Sequence, residues 1–326
     1  MNDPILIEKW RLARLSKQTL IQLALTSVII GLAFLLFHFQ GNTTDVRAFG
    51  RSAILWMVER WDDDDGTGDY SHGWLIPFVS AAIVWLKRKE LAAAPKSVSY
   101  IGLAVVVLAL LFHWLGAKAQ QTRLSLFGLV LLIWGIPFYF YGWRVAKILI
   151  FPCAYLTFCI PLNFLDSVTF PLRIFATIVS TALLNGLGIA AERSGSAIYS
   201  AAAGGFSFDV ADPCSGIRSL LALTALTAVY AYFTQKTLLK KWLLFLSAIP
   251  LAIIGNIARI VVVAIVAEAF GEELALGLFH DYSGYVVFSV AIGLMLGVSA
   301  LLNMDLREMR ERWKQVLLSP TSSSSA

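Results

Sequence analysis

The sequence predicts an all-α polytopic membrane protein of about eight transmembrane helices, with an interfacial helix and a small outer-face β-hairpin before the sixth span. Three observations predict it. Of the 326 residues, 58% are hydrophobic and 14% charged, whereas soluble domains carry about 25% charged residues. The mean hydropathy is +0.73. Apolar runs recur along the chain at lengths near the roughly 20 residues that a helix needs to cross a bilayer. Between them there is no polar stretch long enough for a separate soluble domain. The expected organisation is a cytoplasmic N-terminal segment (1–17), one transmembrane domain (18–302) and a basic, disordered cytoplasmic tail (303–326).

The runs fall at about 18–39, 73–86, 100–116, 124–142, 147–162, 215–234, 242–266 and 283–302. The first is too long for a signal-peptide core and no small-residue cleavage site follows it, so it reads as a retained span. The second and third are short, which tilt or packing against neighbours accommodates. Cys153 and Cys159 share the fifth run, six residues apart, and read as core or lipid-facing positions. Residues 167–190 are apolar enough to cross, but Pro171 and Arg173 suit a helix lying at the outer surface. The alternative is a ninth span, which would invert every later crossing. Next, Gly204–Gly205 separates two β-prone runs, Ala197–Ser200 and Phe206–Val210, as a hairpin requires. The end of the chain, Ser319–Ala326, is low-complexity.

Charge orients these runs. Loops on the N-terminal side carry seventeen basic residues, including Lys87, Arg88, Lys89, Lys236, Lys240 and Lys241; the opposite loops carry seven. The basic side is cytoplasmic by the positive-inside rule. Both termini then face the cytoplasm, and the acidic run Asp62–Asp65 lies outside. The net charge of +5 is spread among loops and makes no nucleic-acid footprint.

Few residues carry chemistry. Asp212-Pro213-Cys214 opens the sixth span: Asp212 suits an N-cap and Pro213 the first helical position. Cys214 then lies in a first turn, where helix amides and the macrodipole favour a thiolate. Arg218, one turn on, adds positive charge to the same face. An inert buried cysteine is the alternative. The seventh span holds Asn256 and Arg259 among pure hydrophobics. An arginine there costs at least ~2.5 kcal/mol on insertion scales and marks either function or an interhelical polar tie. His280 opens the eighth span, as an interfacial residue or a catalyst. By the charge count Cys214, Arg259 and His280 lie near one face. A nucleophile, a base and a fixed cation are the parts that acyl transfer needs. His38 and His113 read as packed. His72, at the outer end of the second span, is placed to line the same cavity. No spacing suits a metal, and no glycine-rich loop suits a phosphate, so neither metal nor cofactor is expected.

Cys214-Ser215-Gly216-Ile217, Asn256-x-x-Arg259 and His280 followed by Gly284 resemble the three signature blocks of the exosortase/archaeosortase family. Ser71-His72-Gly73-Trp74-Leu75-Ile76-Pro77 resembles that family's second-span motif. The likeness covers roughly residues 70–302. It implies a membrane-embedded cysteine transpeptidase with Cys214, Arg259 and His280 as catalytic residues and with Arg218, Asn256, His72 and Asp212 as supporting ones. It also implies partners: exported proteins ending in a short motif, a transmembrane helix and a basic tail, together with membrane lipid. The expected place is the bacterial inner membrane, with the site on its outer face. Neither the sorting motif nor the acceptor is legible. Two readings from other classes compete, a transporter with Asn256 and Arg259 lining a solute path and a non-catalytic assembly factor. A hydrolase sharing the same thioester is a third.

Overall fold

The computed structural model describes residues 17–41, 43, 46–62, 70–162, 165–201, 205–209, 216–276 and 278–304. The chain packs as two compact units, Met1–Leu162 and Asn163–Ala326. In the first unit come α1 (Lys17–Phe39), α2 (Val46–Phe49), α3 (Ala53–Glu59), a 3-10 turn (Ser71–Trp74), α4 (Leu75–Leu86), α5 (Arg88–Ala93), α6 (Tyr100–Lys118), α7 (Thr122–Tyr155) and a second 3-10 turn (Leu156–Cys159). The second unit has α8 (Leu165–Gly186), β1 (Ala191–Ser194), β2 (Ala197–Ser200), β3 (Ser207–Asp209), α9 (Gly216–Thr234), α10 (Leu238–Phe270), α11 (Glu272–Leu276) and α12 (Leu278–Asn303). All eight apolar runs are helical over most of their length. Among the described residues, four helical stretches are long and apolar enough to cross a membrane: Leu20–Phe39, Tyr100–Lys118, Thr122–Cys159 and Leu238–Phe270. Shorter apolar helices occupy Ser71–Leu86, Phe170–Gly186, Leu220–Thr234 and Phe288–Asn303. The termini, 1–16 and 305–326, lie outside the described residues.

Glycine lets α6 and α7 pack backbone to backbone. A Cβ added at Gly128 would sit 2.6 Å from the Ala109 carbonyl oxygen, and one at Gly116 would sit 2.7 Å from the Ser125 amide. Apolar side chains gain nothing by leaving lipid for one another, so such small-residue contacts hold membrane helices together. Polar ties add to them. His113 Nδ1 meets Ser125 Oγ at 2.6 Å, and Thr26 Oγ1 meets the buried Tyr141 hydroxyl at 2.9 Å. His38 pairs with Ser52, whose Oγ also caps α3 by accepting from the Leu55 amide.

Within α7, Gly142 (φ 78°, ψ −176°) breaks the helix. The chain reverses there. Trp134 Nε1 donates to the Ala146 carbonyl at 2.9 Å, although twelve residues of straight helix would hold the two about 18 Å apart. Phe127 and Thr157, then Trp134 and Ile150, likewise line one cleft, and each pair is equidistant from Gly142. The fourth and fifth runs are thus two arms of a helical hairpin. Carbonyls freed at the break are taken up by the 95–99 strap: the Ser97 amide donates to Tyr141 O and the Ser99 amide to Tyr139 O, at 3.3 and 2.9 Å.

In the second unit, α9 and α10 form a hairpin across the short loop Gln235–Thr237, with the Thr237 hydroxyl accepting from the Lys240 amide at 3.3 Å. The brief α11 then returns the chain into α12, which packs along α10. A core of Leu223, Ala231, Leu244, Ala248, Ala291 and Met295 joins these three helices. On another face of α10, α8 and the sheet share Ala176, Leu184, Ile198, Phe206, Ile260 and Val263.

The sheet corrects the expected hairpin. It has three antiparallel strands in the order β1-β2-β3. Between β2 and β3, Ile198 pairs with Phe208, as the sequence indicated. The added strand is β1, whose Glu192 pairs with Tyr199. Its two-residue turn, Gly195-Ser196, has Gly195 at φ +62°, the left-handed geometry that tight hairpin turns require of their first residue. That Gly-Ser pair was the overlooked signal. Asn185 fastens β1 to the end of α8, donating to Ala191 O and accepting from Ala191 N, both at 3.0 Å.

Candidate active site

Chain reversal decides which residues share an end of the second unit. Since α9 and α10 are antiparallel, and α10 and α12 likewise, the starts of α9 and α12 both lie toward the C-terminal half of α10. Asp212 and Cys214 lie outside the described residues; the helix that follows them begins at Gly216. For Arg218 and His280 the structure describes the helical backbone, in the first turns of α9 and α12.

Arg259 is half-buried on α10. It lies seventeen residues beyond Trp242, where the apolar part of that helix begins, so about 26 Å along the axis at 1.5 Å per residue. A hydrocarbon core is about 30 Å thick, and Lys240 and Lys241 mark the opposite end of α10. The guanidinium is therefore carried in the C-terminal half of α10, away from Lys240 and Lys241, with the apolar residues 260–267 still beyond it. The same end is roofed by the sheet, where Ser200 Oγ donates to the Glu268 carboxylate at 3.3 Å.

Asn256 sits one turn before Arg259 and is 7% exposed. With Arg173 of α8 it lines a small cavity bounded by α8, α9 and α10. The sequence reading used Arg173 only as an argument about the lie of residues 167–190 and assigned it no place in the site. Its signal was available, a guanidinium in an otherwise apolar segment, but its neighbour is eighty-three residues away in the chain.

His72 belongs to the first unit. There the Ser-His-Gly-Trp stretch is a packing motif. Gly73 lies directly against the Trp61 indole, where any Cβ would collide. Trp61 in turn stacks edge-on with Trp74 at 5.2 Å and donates to Cys159 O at 2.8 Å. Both ring nitrogens of His72 are buried, with the Phe158 backbone as the hydrogen-bonding neighbour. Cys153 and Cys159 are buried, and the Cys159 thiol donates to Leu156 O at 2.9 Å. Burial keeps both thiols from solvent, the usual setting of structural rather than reactive cysteines.

A family model described as transmembrane exosortase matches residues 61–297, a stretch that contains His72, Asp212, Cys214, Arg218, Asn256, Arg259 and His280. No curated protein and no solved structure gives a significant match.

Proposed function

The chain belongs to the transmembrane exosortase family, and from that premise we propose that it is a membrane cysteine transpeptidase acting on the C-terminal sorting signals of exported proteins. Eight crossings, cytoplasmic termini and a site on the outer face of a bacterial inner membrane complete this reading. The observation that supports it is that α9 and α12, whose starts adjoin Cys214 and carry His280, both begin toward the C-terminal half of α10, the half that bears Arg259. Cys214 stands two residues before the start of α9, Arg259 in the C-terminal half of α10, and His280 in the first turn of α12.

In the proposed reaction the Cys214 thiolate attacks the scissile carbonyl carbon and forms a C–S bond. The carbonyl oxygen becomes an oxyanion, stabilised by the Arg259 guanidinium in a setting where little water screens the charge. Collapse of this intermediate breaks the C–N bond, and His280 gives its proton to the departing amine. A thioester remains on Cys214. His280, now neutral, takes a proton from the incoming nucleophile as that nucleophile attacks; the C–S bond breaks and the free thiolate returns. Asp212 and Arg218 are the supporting residues, and the Arg218 guanidinium together with the positive end of α9 favours the ionised thiol. The substrate's own helix docks from the lipid, and the sheet covers the extended motif.

The test is processing of a co-expressed exported protein ending in a motif, a transmembrane helix and a basic tail. Wild-type chain should release its tail, and mass spectrometry of the new C-terminus identifies the cleavage site and any attached group together. Cys214→Ala should abolish both cleavage and a thioester adduct that hydroxylamine releases. Full processing by Cys214→Ala would remove the reading and favour an assembly factor.

A further inference from the structure

We propose that the helical hairpin of α7 holds one membrane phospholipid, with its phosphate at Arg123 and one acyl chain laid in the cleft between the two arms. The cleft has a volume of about 430 Å3 and is lined by Phe127, Leu131 and Trp134 of the first arm and by Ile150, Ala154 and Thr157 after the break. Its hydrogen-bonding side chains are satisfied within the protein. Trp134 Nε1 donates to Ala146 O at 2.9 Å, and Thr157 Oγ1 to Ala154 O at 2.7 Å. The lining is therefore suited to an apolar occupant and has no polar group waiting for a ligand. Ile150 is 41% exposed and Ala154 is exposed as well, so the cleft opens sideways, toward lipid.

Closure selects which apolar occupant. The arms are tied at two levels, by Arg123 Nε donating to Pro161 O at 2.9 Å and by Trp134 meeting Ala146. Arg123 and Trp134 are eleven residues apart, about 17 Å along the helix. A crossing helix is about 10 Å across and needs a groove that runs through the about 30 Å of the hydrocarbon core, so it does not fit between the ties. A flexible chain turns in from the open side. At about 30 Å3 for a methylene, close to the share of a liquid water molecule, the cleft takes about fourteen of them. Left empty, its walls would forfeit their dispersion contacts.

Charge selects the headgroup. From Thr122 to Tyr141 the first arm rises about 29 Å, one hydrocarbon thickness, so Arg123 stands at headgroup level. It continues the lining stripe, since Phe127, Leu131 and Trp134 follow it at helical spacing. Its guanidinium lies 5.6 Å from the ring centroid of buried Trp56 and gives one of its N–H groups to Pro161. Among the described residues no carboxylate forms an ion pair with it. The rest of the planar fork, on a half-exposed side chain, matches a phosphate.

The full chain is reconstituted in nanodiscs of phosphatidylethanolamine doped with a phosphatidylglycerol that carries a diazirine midway along one acyl chain. After irradiation, peptide mass spectrometry compares adducts within 127–134 and 150–157 with those at Val28 and Leu32, which are 58% and 57% exposed on α1 and report ordinary lipid contact. Cleft adducts should predominate. Ala154→Trp fills the cleft from its exposed side and should remove most of them, while the α1 adducts persist. Arg123→Gln should lower the cleft-to-α1 ratio about fivefold, as expected for one basic group at a membrane surface, and Arg123→Lys should fall between. Equal labelling of cleft and α1 in the wild type, or a ratio unchanged by Ala154→Trp or by Arg123→Gln, overturns the proposal. So does loss of the cleft adducts on adding a synthetic transmembrane sorting-signal peptide, which would give the cleft to the substrate's helix. If Ala154→Trp fails to fold by its unfolding midpoint, Arg123→Gln decides, since it leaves the walls of the cleft intact.

Discussion

Replacing Gly128 by alanine adds one methyl group to α7 at the point where it crosses α6. The new Cβ would lie 2.6 Å from Ala109 O and 3.2 Å from the His113 amide, whereas ordinary contact begins near 3.4 Å. The obstacle is helix backbone, so relief requires α6 to retreat by about 0.8 Å along a seam that also holds the His113–Ser125 hydrogen bond. Overpacking of this kind costs about 1–3 kcal/mol, and alanine returns about 1 kcal/mol through its helix propensity. A net loss of up to about 2 kcal/mol is expected. The control is Gly31→Ala in α1, where the same methyl meets nothing within 4 Å. That change should be neutral or stabilise by up to about 1 kcal/mol. Titration from mixed micelles into sodium dodecyl sulfate, followed by tryptophan fluorescence, measures both. Gly128→Ala matching or exceeding wild-type stability would refute the close-packed seam.

Three other outcomes are expected. Arg259→Lys should lose processing, because one ammonium cannot reproduce the planar fork of donors; near-normal rates in the tail-release assay would show that charge alone suffices. Ser299→Ala removes the acceptor 2.9 Å from buried Gln235 Nε2 and should cost roughly 0.6–1.7 kcal/mol in the same micelle titration, the range for interhelical membrane hydrogen bonds. Adding Gln235→Leu should recover most of that loss, since Gln235 Oε1 is itself buried with no hydrogen bond among the described residues; additive losses would contradict it. Reporter fusions at Asp63 and Ser322 should fall on opposite sides of the membrane, and a shared side would overturn the charge-based topology.

Much of the helical layout could be written down from the sequence. Backbone amides and carbonyls in lipid must bond within their own segment, so an apolar run of the right length has little choice but helix. That is why 18–39, 100–116 and 242–266 appear where hydropathy places them. The break at Gly142 was partly legible, since Arg144 and Lys147 separate two runs, but the folding back of the arms rests on Trp134 meeting Ala146. Strand β1 escaped notice because Ala191–Ser194 has no alternation of its own; its pairing with β2 and the Asn185 clasp make it a strand.

The candidate site divides in the same way. Sequence alone singled out Cys214, Asn256, Arg259 and His280, because a thiol at a helix start and a charge within an apolar run conflict with the pattern around them. The charge count led to the expectation that Cys214, Arg259 and His280 lie near one face, and the short loop Gln235–Thr237 accounts for the antiparallel packing of α9 and α10. What the tertiary structure decided was proximity between residues remote in the chain: the glycine seam of α6 and α7, the seating of the sheet on α10, and the pairing of Arg173 with Asn256 around one cavity. Hydropathy and spacing report how a residue stands relative to its own helix axis. Which helix faces it depends on the volumes and backbone approaches of two surfaces at once, and that information exists only when both are folded.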